Sequence, residues 1–159
     1  MANHRYTLRR EWNSNIRGIV NWVMLNPSTA DDVFDDATIR RVIGFSKRWG
    51  YSGLVVTNLF AFRATDPREL VKLAQSNPGL AIGEYNDHNI IQAACNADTI
   101  VCAWGNGGKL RNRDIEVTTL LHQYHLYCIR LTDLKCPAHP VRERYTDSPV
   151  KYLSVPVPQ

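Results

Sequence analysis

The fold is decided by residues 19–31, which read IVNWVMLNPSTAD. The apolar run at the start is typical of a buried strand, and Asn26-Pro27 ends it because proline has no backbone N–H and a fixed φ. Residues 57–67, TNLFAFRATDP, follow a second apolar run in the same way. Ligands of open α/β sheets bind beyond the carboxyl ends of the strands. We therefore expect these two polar loops to face one another if their strands are neighbours.

The bulk composition indicates one soluble domain. The chain has 159 residues, of which 44% are hydrophobic and 21% charged, and we expect a single domain over 1–159. No apolar run approaches the roughly 18 residues of a membrane helix. The N-terminus has no apolar signal core, so we expect a cytoplasmic protein without membrane contact. A net charge of +4 permits an acidic partner such as DNA or a nucleotide, without requiring one.

The four cysteines lack the spacing of a metal site. They stand at positions 95, 102, 128 and 136, and no two are separated by two residues. We therefore expect no zinc site, no iron–sulfur cluster and no cofactor. Four aspartates at 31, 32, 35 and 36 are most simply a helix N-terminus, with metal binding as a weaker alternative.

The order of apolar and helical patterns predicts the fold. Strands that alternate with helices favour parallel pairing and a three-layer α/β/α domain. We expect a central, mainly parallel four-stranded sheet plus an N-terminal antiparallel hairpin strand, with an irregular tail from Pro137. The predicted strands are 16–25, 54–58, 99–104 and 125–131, with 6–12 and the turn 13–15 completing the hairpin; the predicted helices begin at 35–36, 66, 84 and 111.

Polar groups follow each predicted strand. They are Asn26, Asn58, Gly105-Asn106 and His139. Because parallel strands bring their carboxyl ends to one edge, we expect these groups to line one pocket. The glycines at 105–108 are compatible with a flexible turn or with a phosphate cradle, since they match neither the P-loop nor the dinucleotide pattern.

Seven short segments resemble the family called domain of unknown function 1643. They are 24–31, 38–41, 44–45, 49–51, 56–67, 103–106 and 139–140. The resemblance extends over nearly the whole chain and implies no activity, because that family has none assigned.

The order of the strand-exit motifs also resembles the uracil-DNA glycosylase superfamily. The corresponding pieces are Leu25-Asn26-Pro27, Thr57-Asn58, Ala103-Trp104-Gly105 and His139-Pro140-Val141. This resemblance implies a uracil-DNA-glycosylase-like fold and cleavage of the N-glycosidic bond of a base in DNA or in a nucleotide. Leu25 stands where the superfamily has Gly, and Val141 where it has Ser. These departures favour a modified base or a free nucleotide over uracil.

The resemblance assigns roles to individual residues. Asn26 would orient the attacking water and His139 would stabilise the leaving base, as the catalytic pair. Asn58 would read the edge of the base, with Phe34, Phe60 or Phe62 stacked on it. The substrate-binding set is Pro27, Ser28, Phe34, Asn58, Phe62, Arg63, Gly105 and Asn106. Two alternatives remain: a binding module for nucleic acid or nucleotides without chemistry, and a protein whose polar loops serve packing and partner contact.

Overall fold

The computed structural model describes residues 3–12 and 17–153, and in this part of the chain it contains one mixed sheet and five α-helices. The strands are β1 (Leu8–Glu11), β2 (Arg17–Met24), β3 (Tyr51–Asn58), β4 (Thr99–Cys102), β5 (Leu126–Cys128) and β6 (Val150–Leu153). The helices are α1 (Ala37–Arg48), α2 (Pro67–Ser76), α3 (Pro78–Ile82), α4 (Asn86–Cys95) and α5 (Arg113–Leu120).

The sheet has the strand order β1-β3-β2-β4-β5-β6. Strands β3, β2, β4 and β5 run parallel, and the edge strands β1 and β6 are antiparallel to their neighbours. Met24 at the end of β2 is in register with Asn58 at the end of β3. Hydrogen bonds from Leu59 N to Met24 O (2.8 Å) and from Phe60 N to Leu25 O (3.0 Å) continue this pairing beyond the strands. The two loops that leave these strands are therefore neighbours.

Helices cover both faces of the sheet. Alternate residues of β2 point to opposite faces: Trp22 packs in one core cluster with Val42 and Phe45 of α1. Val23 packs in the other, with apolar side chains of α2, α4 and α5. The α/β class, the helices on both faces and the parallel core of the sheet are thus as predicted.

Local capping chemistry sets the helix starts that hold the loops. The Asp36 side chain accepts from the Ile39 N–H (2.9 Å) and begins α1. Asp66 accepts from the Arg68 N–H (2.9 Å), with Pro67 in the first turn of α2. Gly50 has φ 88° and turns the chain from α1 into β3. The first and second helices therefore begin close to where the sequence predicts.

Three predictions about the sheet were wrong. It has six strands, not four plus one. Strand β1 does not form a hairpin with β2: it pairs with β3, where Leu8 lies opposite Val56 and is buried in the core. The predicted turn at 13–15 lies outside the described residues. The tail is not wholly irregular, because 150–153 pair with β5 as the edge strand β6.

Pro78 and Gly79 begin the short helix α3. The Asn77 side chain accepts from the Leu80 N–H (3.2 Å) and caps it. No helix among the described residues has the length and apolar character needed to cross a membrane.

Candidate ligand-binding pocket

A cavity of about 160 Å³ lies beyond the carboxyl ends of β2 and β3. An engineered protein cavity of about 150 Å³ binds benzene, so this cavity has room for one aromatic ring. The polar side chains that line it come from Arg5, Asn26, Ser28, Asp36, Thr38, Asn58, Thr65 and His139. Residues remote in sequence thus meet in one cleft at the predicted edge of the sheet.

Asn26 is held by the two loops themselves. Its Nδ2 donates to Pro27 O (3.0 Å) and to Ala64 O (2.9 Å). Two carbonyl acceptors settle which end of the amide is nitrogen, since a carbonyl cannot donate. The group that Asn26 has left to offer a ligand or a water is its side-chain oxygen.

Asn58 differs from Asn26 in the hydrogen bonding of its amide nitrogen. The residue is 1% exposed and lines the cavity, yet its Nδ2 is buried without a hydrogen-bond partner. A buried amide N–H without an acceptor is unfavourable by about 1–3 kcal/mol. The backbone carbonyl of Asn58 is bound by Asn86 Nδ2 at 2.9 Å, so the strand end is anchored while the side chain is not. No described group of the protein accepts a hydrogen bond from this nitrogen.

His139 enters the cavity from the segment after β5. Its Nδ1 accepts from the Val141 N–H (3.2 Å), which places the proton of the neutral ring on Nε2. Burial lowers the pKa of His139 below its ordinary 6.5, and the carboxylate of Asp36 opposes that shift. At neutral pH the ring is therefore a neutral donor through Nε2–H.

Gly105 fits the strand exit next to His139. It has φ 68°, and a β-carbon there would contact the Cβ of His139 at 3.7 Å. Its N–H donates to Pro137 O (2.7 Å), which ties the end of β4 to the segment that carries His139. Pro27 joins the loop after β2 to the loop after β3, because its carbonyl accepts from Asn26 Nδ2 and from the Ala64 N–H.

Six predicted site residues do not line the cavity: Pro27, Phe34, Phe62, Arg63, Gly105 and Asn106. Phe34 is 57% exposed on the loop before α1. Phe62 packs against the core and meets His4 edge-on, and Asn106 accepts from Thr132 Oγ1 at 2.6 Å. Arg63 lies beside the cavity, with Nη2 near Ala30 O at 3.4 Å. Phe60, the other predicted stacking residue, is fully buried in the core.

One family model matches the chain. Its description is "Protein of unknown function (DUF1643)", and it covers residues 5–141. The chain belongs to this family. No curated protein and no solved structure was found to match it. Every residue that lines the cavity lies within the span that this DUF1643 model covers, from Arg5 to His139.

Two charged residues of the pocket were missed from the sequence. Asp36 reads as a helix cap, which it is, but it also lines the cavity and acts on His139. Arg5 comes before every predicted strand that ends at the pocket, so strand order does not place it there. It reaches the pocket because the N-terminal segment pairs with the loop after β3, through a bridge between His4 and Phe62. No pattern in the sequence predicts that pairing.

The described residues hold no metal-binding cluster. No group of three or more His, Cys, Asp or Glu side chains in 3–12 and 17–153 is arranged to hold an ion. Cys102 is buried, and burial raises the pKa of its thiol well above the ordinary 9.0.

Proposed function

We propose that the pocket binds a nucleobase and that the protein hydrolyses the N-glycosidic bond of a modified base, in DNA or in a nucleotide. The observation that carries this proposal is that Asn26, Asn58 and His139 line one cavity with room for a single ring. The order of the strand-exit motifs, which resembles that of the uracil-DNA glycosylase superfamily, supports the reaction type.

Base recognition falls to Asn58. Its unpartnered Nδ2 is a donor that a ring carbonyl or ring nitrogen would satisfy. An amide that is buried without a partner rejects a ligand that lacks the matching acceptor, because the donor then stays unsatisfied. The Ser28 and Thr65 side chains, which also line the cavity, add hydroxyl groups to the same wall.

The reaction needs a water, a leaving base and a stabilised sugar cation. The C1′–N bond breaks and its electron pair goes to the base, while the water oxygen bonds to C1′. In this proposal the Asn26 oxygen accepts a hydrogen bond from the water, and His139 Nε2–H donates to the base as negative charge develops there. The proton that the water loses ends on the base, which balances the reaction. The negative charge of the Asp36 carboxylate stabilises the positive charge that develops on the sugar.

The test is product formation. The protein is incubated with duplex and single-stranded DNA that carries uracil or modified pyrimidines, and with the matching nucleotides; abasic sites and free base are measured. We expect His139→Ala to lower the rate by about 10²–10³-fold, the typical loss for one such donor. His122→Ala is the matched control, because His122 Nδ1 also contacts a nearby backbone group and His122 does not line the cavity.

Asn26 needs a second variant, because its amide also holds the two loops together. Asn26→Ala removes both functions, whereas Asn26→Asp keeps a side-chain oxygen. We expect both variants to fold, as measured by circular dichroism, and Asn26→Ala to lose product formation. Product formation that survives in both His139→Ala and Asn26→Ala contradicts the assigned roles.

A binding module without chemistry is the second candidate. The hydrogen bonding of Asp36 favours this candidate. Asp36 supplies the carboxylate among the described lining residues, and its Oδ1 already accepts from the backbone N–H of Ile39 at the start of α1. A carboxylate held by a backbone N–H is less free to act on water. Saturable binding that Asn58→Leu abolishes, with no product after prolonged incubation, would select this candidate. Absence of both product and binding rejects both.

A further inference from the structure

Two arginines meet beside the pocket without a carboxylate partner. Arg5 N–H donates to Ala61 O (2.9 Å) and Arg63 N–H donates to Asn3 O (2.8 Å), so the N-terminal segment lies along the loop after β3. Both guanidinium groups point to one backbone carbonyl: Arg5 Nη1 lies 2.6 Å and Arg63 Nη2 3.4 Å from Ala30 O. In the described part of the chain neither arginine forms an ion pair.

Arg5 is also incompletely hydrogen-bonded. Its Nε is buried and has no partner, although the residue lines the cavity. Burial lowers the pKa of Arg5 from its ordinary value to about 10, and the charge of Arg63 acts in the same direction. A partly buried cation with an unused donor is unfavourable unless an anion meets it.

The nearby charges do not supply that anion. Asp36 and Asp31 act on Arg5 at longer range, and the positive Arg10 acts against them. Each carboxylate has its own backbone partners: Asp36 caps α1, and Asp31 accepts from the Val33 and Phe34 N–H groups at 2.9 and 2.7 Å. Arg10 is paired with Asp35 at 2.8 Å. The one carboxylate on the cavity wall, Asp36, lowers the local positive charge without bonding to either arginine in the described structure.

We propose that Arg5 and Arg63 form an anion subsite that binds a phosphate group of the ligand whose base enters the cavity. The planar fork of an arginine matches phosphate oxygens, and two such forks that share a single carbonyl have donors to spare. The base part of this ligand rests on the proposed function above; the phosphate part rests on the two arginines. The ligand class is therefore a nucleotide, not a free base or a nucleoside.

The test compares each common deoxynucleoside with its 5′-monophosphate on the whole protein, by calorimetric titration, with inorganic phosphate as competitor. We expect the monophosphate to bind at least about tenfold tighter than its nucleoside, as for a hydrogen-bonded charge pair. This ratio should fall toward unity in Arg5→Gln and Arg63→Gln. It should persist in Arg68→Gln, which removes an exposed arginine that is paired with Asp66 on the surface.

A second readout observes Arg5 directly. The Nε–H resonance of Arg5, assigned by its loss in Arg5→Lys, should shift when inorganic phosphate is added. The subsite is refuted if wild type binds nucleoside and monophosphate equally, or if the Arg5 and Arg63 variants keep the full ratio. It is also refuted if neither nucleotides nor phosphate bind at all.

The outcomes separate this subsite from the proposed function. Phosphate binding that requires Arg5, with no base preference and no effect of Asn58→Leu, supports the subsite and rejects the base pocket. Base binding that requires Asn58 but ignores Arg5 does the reverse. The source of the phosphate follows from a single-stranded oligonucleotide arm: tighter binding of the oligonucleotide with a steep salt dependence indicates DNA, and tighter binding of the monophosphate indicates a free nucleotide.

Discussion

Arg113 and Arg5 are both largely buried arginines, but only one of them is satisfied. Arg113, with a side chain 2% exposed, donates from Nε to Leu59 O (2.8 Å) and from Nη1 to Glu116 (2.9 Å), and its Nη2 is paired with Asp87. Arg5 has one carbonyl acceptor and an Nε without any. The first joins α5, α4 and the end of β3; the second lies at the wall of the cavity.

In our proposal the contrast between the two arginines separates a residue that holds the fold from a residue that binds a ligand. Buried polar groups in proteins are almost always hydrogen-bonded, so a satisfied cluster indicates structure and an unsatisfied one needs another explanation. The amide nitrogens of two buried asparagines differ in the same way. Asn86 Nδ2 donates to Asn58 O and Leu59 O, whereas Asn58 Nδ2 has no acceptor. Arg5 and Asn58 line the pocket, whereas Asn86, whose Oδ1 is also buried without a partner, does not.

Replacement of Arg113 by Met has the largest expected effect. It removes three bonded donors at once, and we expect the free energy of unfolding to fall by about 2–3 kcal/mol. This is below the 3–5 kcal/mol of a fully buried pair, because the Asp87 and Glu116 side chains are 51% and 56% exposed and return to water. Urea unfolding followed by circular dichroism measures the change.

Arg68→Met is the control for that comparison. Arg68 is paired with a carboxylate as Arg113 is, but its side chain is 92% exposed. We expect no measurable change in the free energy of unfolding, because exposed ion pairs contribute little. Equal losses in the two variants would show that burial is not what distinguishes Arg113.

Replacement of Asn86 by Leu comes next. It leaves the backbone carbonyl of Asn58 without its donor, and we expect a loss of about 1–2 kcal/mol in the free energy of unfolding. Asn58→Leu should have a smaller effect, because it removes an amide whose nitrogen is already unpartnered. Thermal and urea unfolding of the two variants side by side tests the comparison. A larger loss for Asn58→Leu would mean that its amide is bound in the folded protein.

The sequence predicts the parts that depend on local chemistry. Asp36 and Asp66 announce helix starts because capping involves residues two or three apart in the chain. Asn26, Asn58 and His139 were expected to line one cavity, and they do, because parallel strands bring their carboxyl ends to one edge of the sheet whatever the spacing along the chain. The pairing of β1 with β3, the edge strand β6 and the approach of Arg5 depend on contacts between remote segments, which no local pattern encodes.

The pH dependence of His139 is a smaller effect. Its pKa is lowered in the folded state, so the unfolded chain binds a proton first as the pH falls. Stability should therefore decline below about pH 6.5, the ordinary value, and level off once the folded state also protonates. The decline that belongs to this group should be absent in His139→Ala. Nuclear magnetic resonance titration of the ring measures the pKa directly.

The variant Asp36→Asn tests the contribution of the Asp36 carboxylate to the pKa of His139. Asparagine is as good a helix cap as aspartate, so α1 should keep its start. The carboxylate that favours the charged ring is gone, so the pKa of His139 should fall further than in wild type. A pKa of His139 at or above its ordinary value in wild type, or an unchanged pKa in Asp36→Asn, would contradict the placement of these two groups.

Apart from the control Arg68→Met, replacement of Arg5 by Met has the smallest expected effect on stability. The change removes one hydrogen bond to Ala30 O, worth about 1 kcal/mol, but it also removes a partly buried charge whose Nε is unpartnered. These terms oppose one another, and we expect the free energy of unfolding to stay within about 1 kcal/mol of wild type. Urea unfolding in a buffer without phosphate or sulfate measures it. A loss as large as that of Arg113→Met would place Arg5 among the residues that hold the fold, whereas near-neutral stability would show that the fold does not depend on it.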